Sequence, residues 1–271
     1  MKKFDQKLLA FLLAACCLYG GFLLYGRLSA RLSTGPELKV PEEAAQVSVK
    51  DPNAALLAGV TAHDAEDGDL TSRVFVESLS PMDEQGQRTV TYGVFDRDDQ
   101  VTRASRPLRY TDYAPPVFSL NAPLLFPSEV DDEAVLARIT VSSVLDGDLS
   151  NQIMIEDAEE NNGVYIGHFS VTDSAGTTSR IALKVSFLHN EPSYQIGLSQ
   201  YLVRVAPGTP IDPRSYLQEV TMMNMDYSDL LDEVEVRTDY DPQVPGTYEF
   251  IYQLQRPNGD FGTTKLVVIV E

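Results

Sequence analysis

The hydrophobic pattern divides the chain into one unbroken apolar run and a long alternating remainder. Residues 8–26 read LLAFLLAACCLYGGFLLYG, without a charge. As a helix at ~1.5 Å per residue they would cover about 28 Å, close to the ~30 Å hydrocarbon layer of a bilayer. Beyond residue 36 the apolar positions alternate with polar ones over short runs such as 181–187 and 265–270, the period of half-buried strands. These runs are set apart by Gly, Pro, Asn and Asp, the residues of turns. No amphipathic helix is evident after residue 26. The pattern predicts one transmembrane helix followed by an all-β region.

Comparing that region with itself shows that it repeats. With a shift of 79, Ile139-Thr140 matches Val60-Thr61, and residues 146–150 (DGDLS) match residues 67–71 (DGDLT). Ile153 and Ile155 then match Val74 and Val76. With a shift of 160, Val220-Thr221 matches the same start, Asp229-Leu230 matches Asp69-Leu70, and Val234 and Val236 complete the set. A second block runs from Gly86 to Asp96, from Gly163 to Asp173 and from Gly246 to Arg256. A period of about 75–80 residues is far longer than the roughly 20–50 of solenoid repeats, so each copy is expected to be a small domain of its own. Six or seven strand-like runs per copy predict a β-sandwich. Prolines at Pro36, Pro115-Pro116 and Pro192 predict short, semi-rigid linkers and an extended rod. The expected layout is a cytoplasmic tail (1–7), a transmembrane anchor (8–26), a linker (27–36), and repeats at 37–112, 113–189 and 190–271.

The motif GVTAHDAEDGDLT at 59–71, with an aromatic strand and a VTDSAG turn at 171–176, resembles bacterial immunoglobulin-like domains of the pesticidal-crystal-protein type. The resemblance is good over 37–190 and weak over 191–271, where Tyr227-Ser228 replaces Asp-Gly and Arg256 replaces the turn Asp. It implies three tandem Ig-like β-sandwiches on a bacterial surface or secreted protein. It implies nothing specific about activity, because such modules serve as spacers, adhesins and accessory domains.

Charge narrows the partners. The chain carries −19, and beyond residue 26 it holds 18 basic and 39 acidic residues of the 21 and 40 in the whole. That surface repels nucleic acid and anionic lipid. Lys2, Lys3 and Lys7 before the apolar run place the N-terminus in the cytoplasm and the repeats outside the cell. The run is read as an uncleaved anchor. Leu13-Ala14-Ala15-Cys16 also resembles a lipobox, which would instead make Cys16 a lipidated N-terminus. Cys16 and Cys17 are the only cysteines, so no disulfide ties the repeats.

The sharpest candidate chemistry is a carboxylate cluster at Asp64, Glu66, Asp67 and Asp69, with Asp96, Asp98 or Asp99 near it. Calcium takes six to eight oxygen ligands, and one acidic loop can supply several. The counterparts of Asp64 and Glu66 are Ser143 and Leu145 in the second repeat, and Asn224 and Asp226 in the third. Only the position of Asp69, Asp148 and Asp229 is acidic throughout, which favours Asx turns over a metal. His63, His168 and His189 lack metal-ligand spacing, and no phosphate loop, G-x-S-x-G or H-E-x-x-H occurs. Met222, Met223 and Met225 offer an adaptable surface or an edge packed into the sandwich. The expected function is non-enzymatic: a cell-surface stalk that contacts an extracellular protein or cell-wall polymer. The alternative is a calcium-dependent carbohydrate- or wall-binding module.

Overall fold

The computed structural model describes residues 2–32, 35–83, 85–161 and 164–271, without the side chains of 2–9, 26–32 and 161. Met1, Ser33, Thr34, Glu84, Asn162 and Gly163 lie outside the described residues, so part of the expected linker and the glycine opening the second aromatic block are not placed.

Helix α1 spans Lys2–Leu32. Its described side chains, from residue 10 to residue 25, are all exposed, among them Phe11, Leu18, Phe22 and Tyr25. Among the described residues no helix is long and apolar enough to cross a membrane. The expected span at 8–26 is therefore not shown.

The rest folds three times into the same seven strands. The first copy has β1 (Glu37–Lys39), β2 (Ala45–Val47), β3 (Thr61–Asp64), β4 (Gly68–Asp69), β5 (Phe75–Leu79), β6 (Gln87–Phe95) and β7 (Val101–Tyr110). The second has β8 (Val117–Leu120), β9 (Leu125–Phe126), β10 (Ile139–Ser143), β11 (Gly147–Asp148), β12 (Met154–Asn161), β13 (Val164–Thr172) and β14 (Thr178–Phe187). The third has β15 (Gln195–Leu198), β16 (Leu202–Val205), β17 (Leu217–Met222), β18 (Met225–Asp226), β19 (Glu235–Thr238), β20 (Gly246–Gln255) and β21 (Phe261–Val270). Each copy builds a three-stranded sheet, β1-β3-β4 and its counterparts, and a four-stranded sheet, β2-β7-β6-β5 and its counterparts. Among the described strands, the pairings are antiparallel except β2 with β7, β9 with β14, and β16 with β21.

Each copy closes over its own core. Val90, Tyr92, Val94 and Leu108 centre the first, Phe169, Val171 and Leu183 the second, and Phe250, Tyr252, Leu254 and Leu266 the third. Alternate residues of the long strands point inward and bury apolar surface. Register makes Tyr92, Phe169 and Tyr252 equivalent, since each sits opposite the second residue of β5 or its counterparts: Val76, Ile155 or Val236. A buried tyrosine needs a hydrogen-bond acceptor. Tyr92 donates to the Leu56 carbonyl at 2.7 Å, and Tyr252 to the Pro213 carbonyl at 2.7 Å. Both acceptors belong to short 3-10 segments, Asn53–Leu57 and, in the third repeat, Pro213–Tyr216. The second repeat has an α-helical turn there instead, α2 (Asp132–Leu136), and a phenylalanine beneath it.

The chain divides into two compact units, Met1–Asp112 and Tyr113–Glu271. The second unit holds two repeats that the prolines predict as separate modules. Val267 of β21 belongs to the core of the second repeat, with Tyr201, Leu202 and Ile269 packed against it. Lys265 completes the joint. It is 1% exposed, and its Nζ donates to the Lys184 carbonyl at 2.7 Å and Ser186 Oγ at 3.2 Å, both on β14. Glu249 of β20 neutralises it at 2.7 Å and reaches Lys184 Nζ at 3.1 Å. Burial pushes the Lys265 ammonium below the ordinary lysine value, and Glu249 opposes that shift.

The tyrosine position gives a test. Tyr252→Phe removes one buried hydrogen bond and should cost about 1 kcal/mol in urea unfolding of the second unit. Phe169→Tyr places a hydroxyl where α2 replaces the accepting segment, and should cost about 1–3 kcal/mol. A Phe169→Tyr protein as stable as the parent would mean that the second repeat also offers an acceptor.

Candidate functional site

The acidic loop of the first repeat joins β3 to β4. Three residues, 65–67, lie between paired Asp64 and Gly68, and Gly68 takes a left-handed φ of 77° that closes the turn. Asp64 is buried and its Oδ1 accepts from the backbone N–H of Glu66 at 2.8 Å and Asp67 at 2.9 Å. These two bonds, Asp67 first, hold its carboxyl below the usual carboxylate value. Asp67 Oδ2 accepts from Arg97 N at 2.7 Å, which ties the loop to the β6–β7 turn. Asp96 is buried in that turn, and its Oδ1 accepts from Asp98 N and Gln100 N, both at 2.8 Å. Its Oδ2 is buried without a hydrogen-bond partner. Asp69 Oδ1 accepts from Thr71 N at 2.9 Å. Glu66, Asp69, Asp98, Asp99 and His63 are exposed.

Of the calcium candidates, Asp64, Asp67, Asp69 and Asp96 thus spend oxygens on nearby backbone. Among the described residues, no group of three or more His, Cys, Asp or Glu side chains could hold a metal ion. The same frame recurs in the second repeat. Ser143 Oγ accepts from Leu145 N and Asp146 N, both at 3.1 Å, in the place of Asp64. Asp146 Oδ2 takes Ser174 N at 2.9 Å, and Asp173 Oδ1 takes Ala175 N and Thr177 N at 2.9 Å. Tyr113, entering from the linker, donates to Asp173 Oδ2 at 2.6 Å. Burial and that carboxylate push the Tyr113 phenol up to about 12.

The third repeat corrects one sequence equivalence. Thr221 faces Asp226 across β17 and β18, as His63 faces Asp69 and Ser142 faces Asp148. Asp226, not Asp229, is therefore the third member of the acidic position, and Met222 stands where Asp64 does. Asp226 Oδ1 accepts from Ser228 N at 2.9 Å and Ser228 Oγ at 2.6 Å. Asp229 is exposed within the 3-10 segment Ser228–Glu233. The turn itself differs, being two residues long, with Met223 (φ 50°) and Asn224 (φ 61°) both left-handed. Two positive φ values describe the tight turn that matches strand twist. Met222 packs on the third core, whereas Met223 and Met225 are 83% and 54% exposed.

The remaining sequence candidates stay apart. His168 Nε2 lies 4.0 Å from Glu159 on the surface, His63 is exposed on the first repeat, and His189 is exposed at the end of the second. Cys16 and Cys17 are exposed and free. Sequence reasoning missed an apolar cleft of the second repeat, where Val135, Ile155, Tyr165, Phe169 and Phe187 are rimmed by Glu129 and Asp132. Tyr165 and Phe187 meet edge to face at 5.2 Å, and the Glu160 charge raises the Tyr165 phenol pKa. Its residues come from α2 and three strands, so no local motif announces it.

No protein-family model matches this chain, and no curated protein does. Solved structures do. CBM51-2 in complex with GlcNAc and INT domains of Clostridium perfringens ZmpB are 18% identical over 54% of this chain and 26% of theirs, with a TM-score of 0.22. Protocadherin Gamma B2 extracellular cadherin domains 1–5 are 12% identical over 88% and 60%, with a TM-score of 0.19. Human CDH23 EC21-23 is 10% identical over 87% and 100%, with a TM-score of 0.24. The chain thus spans about a quarter of the ZmpB structure, and the β-rich tandem character of these proteins is all the likeness conveys.

Titration tests the turn aspartates. Thr71, Ser150 and Ser228 each bond their aspartate, by hydroxyl first and backbone second, and lower the carboxyl pKa of Asp69, Asp148 and Asp226 below 3.8. Stability from a depressed carboxylate is present above the unfolded value and lost as pH falls through the folded one. The melting temperature should therefore drop from about pH 5 to about pH 2. Asp69→Asn, Asp148→Asn and Asp226→Asn should each flatten that slope, equally with calcium or with chelator. A calcium-dependent rise in melting temperature that Asp64→Ala removes would reinstate a metal site.

Proposed function

We propose that this chain is a non-enzymatic, membrane-anchored interaction protein of the cell surface, with its sandwich repeats outside the cell. One observation carries the reading: the second and third repeats are joined by a buried, neutralised lysine and a shared core, so a two-sandwich body moves as one piece. Such a joint suits a spacer that holds a binding surface at a set distance. The anchor rests on the uncharged run at 8–26 and on the described side chains of α1, which are exposed and mostly apolar. Exposed apolar side chains on a helix gain by burial in lipid. The acidic surface suits a soluble extracellular partner, either a protein or a wall polymer, and disfavours nucleic acid. The aromatic cleft of the second repeat is the concave apolar surface on which such a partner finds purchase.

Two measurements test this. In intact cells, protease added outside should digest the repeats while a tag at the N-terminus survives in the membrane fraction after alkaline wash. Recovery of the repeats in a soluble cytoplasmic fraction would refute the anchor. For the joint, Lys265→Ala removes the buried donor to the Lys184 carbonyl and Ser186 and leaves a void between the two repeats, which should expose residues 188–192 to limited proteolysis. Lys265→Met fills the same space and should cut more slowly than Lys265→Ala. Equal cutting of all three proteins would remove the rigid-spacer argument.

A further inference from the structure

The inward positions of β6 and its counterparts are filled unequally. Register places Val90, Gly167 and Phe250 at the same point, two residues before Tyr92, Phe169 and Tyr252. Val90 and Phe250 are core side chains, 0% and 2% exposed. The second repeat has no side chain there. Gly167 does not take a left-handed φ, so the backbone does not call for glycine. Space does: a Cβ at Gly167 would lie 2.7 Å from Phe169 Cζ and 2.8 Å from Cε2. Phe169 in turn lacks the hydroxyl with which Tyr92 and Tyr252 reach their covering segments. Two fillers of the sandwich end are thus missing from one repeat. The cleft of about 260 Å³ opens in their place, between Gly167, Phe169 and α2.

Its walls are apolar and its mouth is acidic. Tyr165 and Phe187 supply aromatic surface, and both are half-buried. Glu129 and Asp132 stand exposed at the rim, and among the described residues no lysine, arginine or histidine lines the cleft. Glu160, exposed on the edge strand β12, pairs across the sheet with Tyr165. The charges of Glu160 and Glu129 both act on the Tyr165 phenol and raise its pKa, so the mouth is a site of negative potential. Such a mouth attracts a cation, and aromatic faces do the same. The volume lies below the ~300–1,000 Å³ of drug-sized sites and suits one inserted side chain.

We infer that the cleft takes the side chain of a lysine on a partner protein. Four methylenes lie along the apolar walls, and the ammonium stays at the mouth, in water and facing Glu129, Asp132 and Glu160. A neutral apolar side chain fills the walls but leaves the carboxylates unanswered. A sugar brings neither the charge nor the unbranched apolar stem. This inference deepens the reading of the cleft as the place where a partner finds purchase, and it rests on that reading. It does not depend on the anchor, because every residue in the site belongs to the second unit.

The test uses the full ¹³C-labelled chain and follows the ring resonances of Tyr165 and Phe187. The probes are N-acetyl-lysine methylamide, N-acetyl-norleucine methylamide, which has the same stem without the charge, and N,N′-diacetylchitobiose. The lysine probe should shift both rings saturably and bind about five-fold more tightly than norleucine, the upper range of an exposed ion pair. In about 0.5 M sodium chloride that preference should shrink toward parity. Glu129→Gln with Asp132→Asn keeps the shape of the rim, and should remove most of the preference without lowering the melting temperature. Equal affinity for lysine and norleucine, or an unchanged preference in the double variant, would overturn the lysine and leave the cleft as an apolar purchase point. Tighter binding of the disaccharide than of lysine would overturn it in favour of a wall polymer. No saturable shift with any probe would overturn both the lysine and the cleft as a binding surface.

Discussion

Short acceptor side chains folded back on the backbone hold this chain in shape. Each small sandwich turns sharply many times, and every turn leaves N–H groups that a strand cannot satisfy. With no cysteine beyond residue 17, no disulfide can do that holding. Asp64, Asp69, Asp96, Asp148, Asp173 and Asp226 instead accept N–H bonds two to four residues ahead. Part of the strong negative charge is therefore a by-product of turn construction. Ser143, which does the same work as Asp64 without a charge, shows that the geometry needs an oxygen and not an anion.

The sequence repeats were legible because strand periodicity and the DGDL turn are local. The 79-residue shift aligns the first two copies over β3, β4 and the following 3-10 turn because nothing is inserted between them. The third copy hides compensating changes. Ala62 corresponds to Val220, a shift of 158, and a turn one residue shorter makes Asp69 correspond to Asp226, a shift of 157. The 3-10 segment is then three residues longer, six against three, which restores 160 at Val74 and Val234. A single offset thus aligns the strand after the turn and misplaces the turn. Identity of residue type at Asp229-Leu230 was coincidence, and only cross-strand register exposes it.

The joint between the second and third repeats had no such signature. Lys265 sits in an apolar strand, where a lone charge reads as an edge residue facing water. Its burial depends on a carboxylate sixteen positions earlier and on a carbonyl eighty-one positions away in another repeat. Prolines at 115, 116 and 192 mark the linkers equally, yet packing divides the chain after Asp112 and not near residue 190.

The three parallel pairings bear on how the molecule is made. In each repeat an early strand, β2, β9 or β16, finds its partner only in the last strand, some sixty residues later. Pairings so distant in sequence are slow to form, and they wait on synthesis of the whole module. A chain emerging residue by residue therefore holds each early strand with its hydrogen-bonding edge open until that module is finished. For the second and third repeats the wait is longer, because β21 both closes its own sheet and seals its neighbour through Val267 and Lys265. That body acquires its final packing in one late, concerted step.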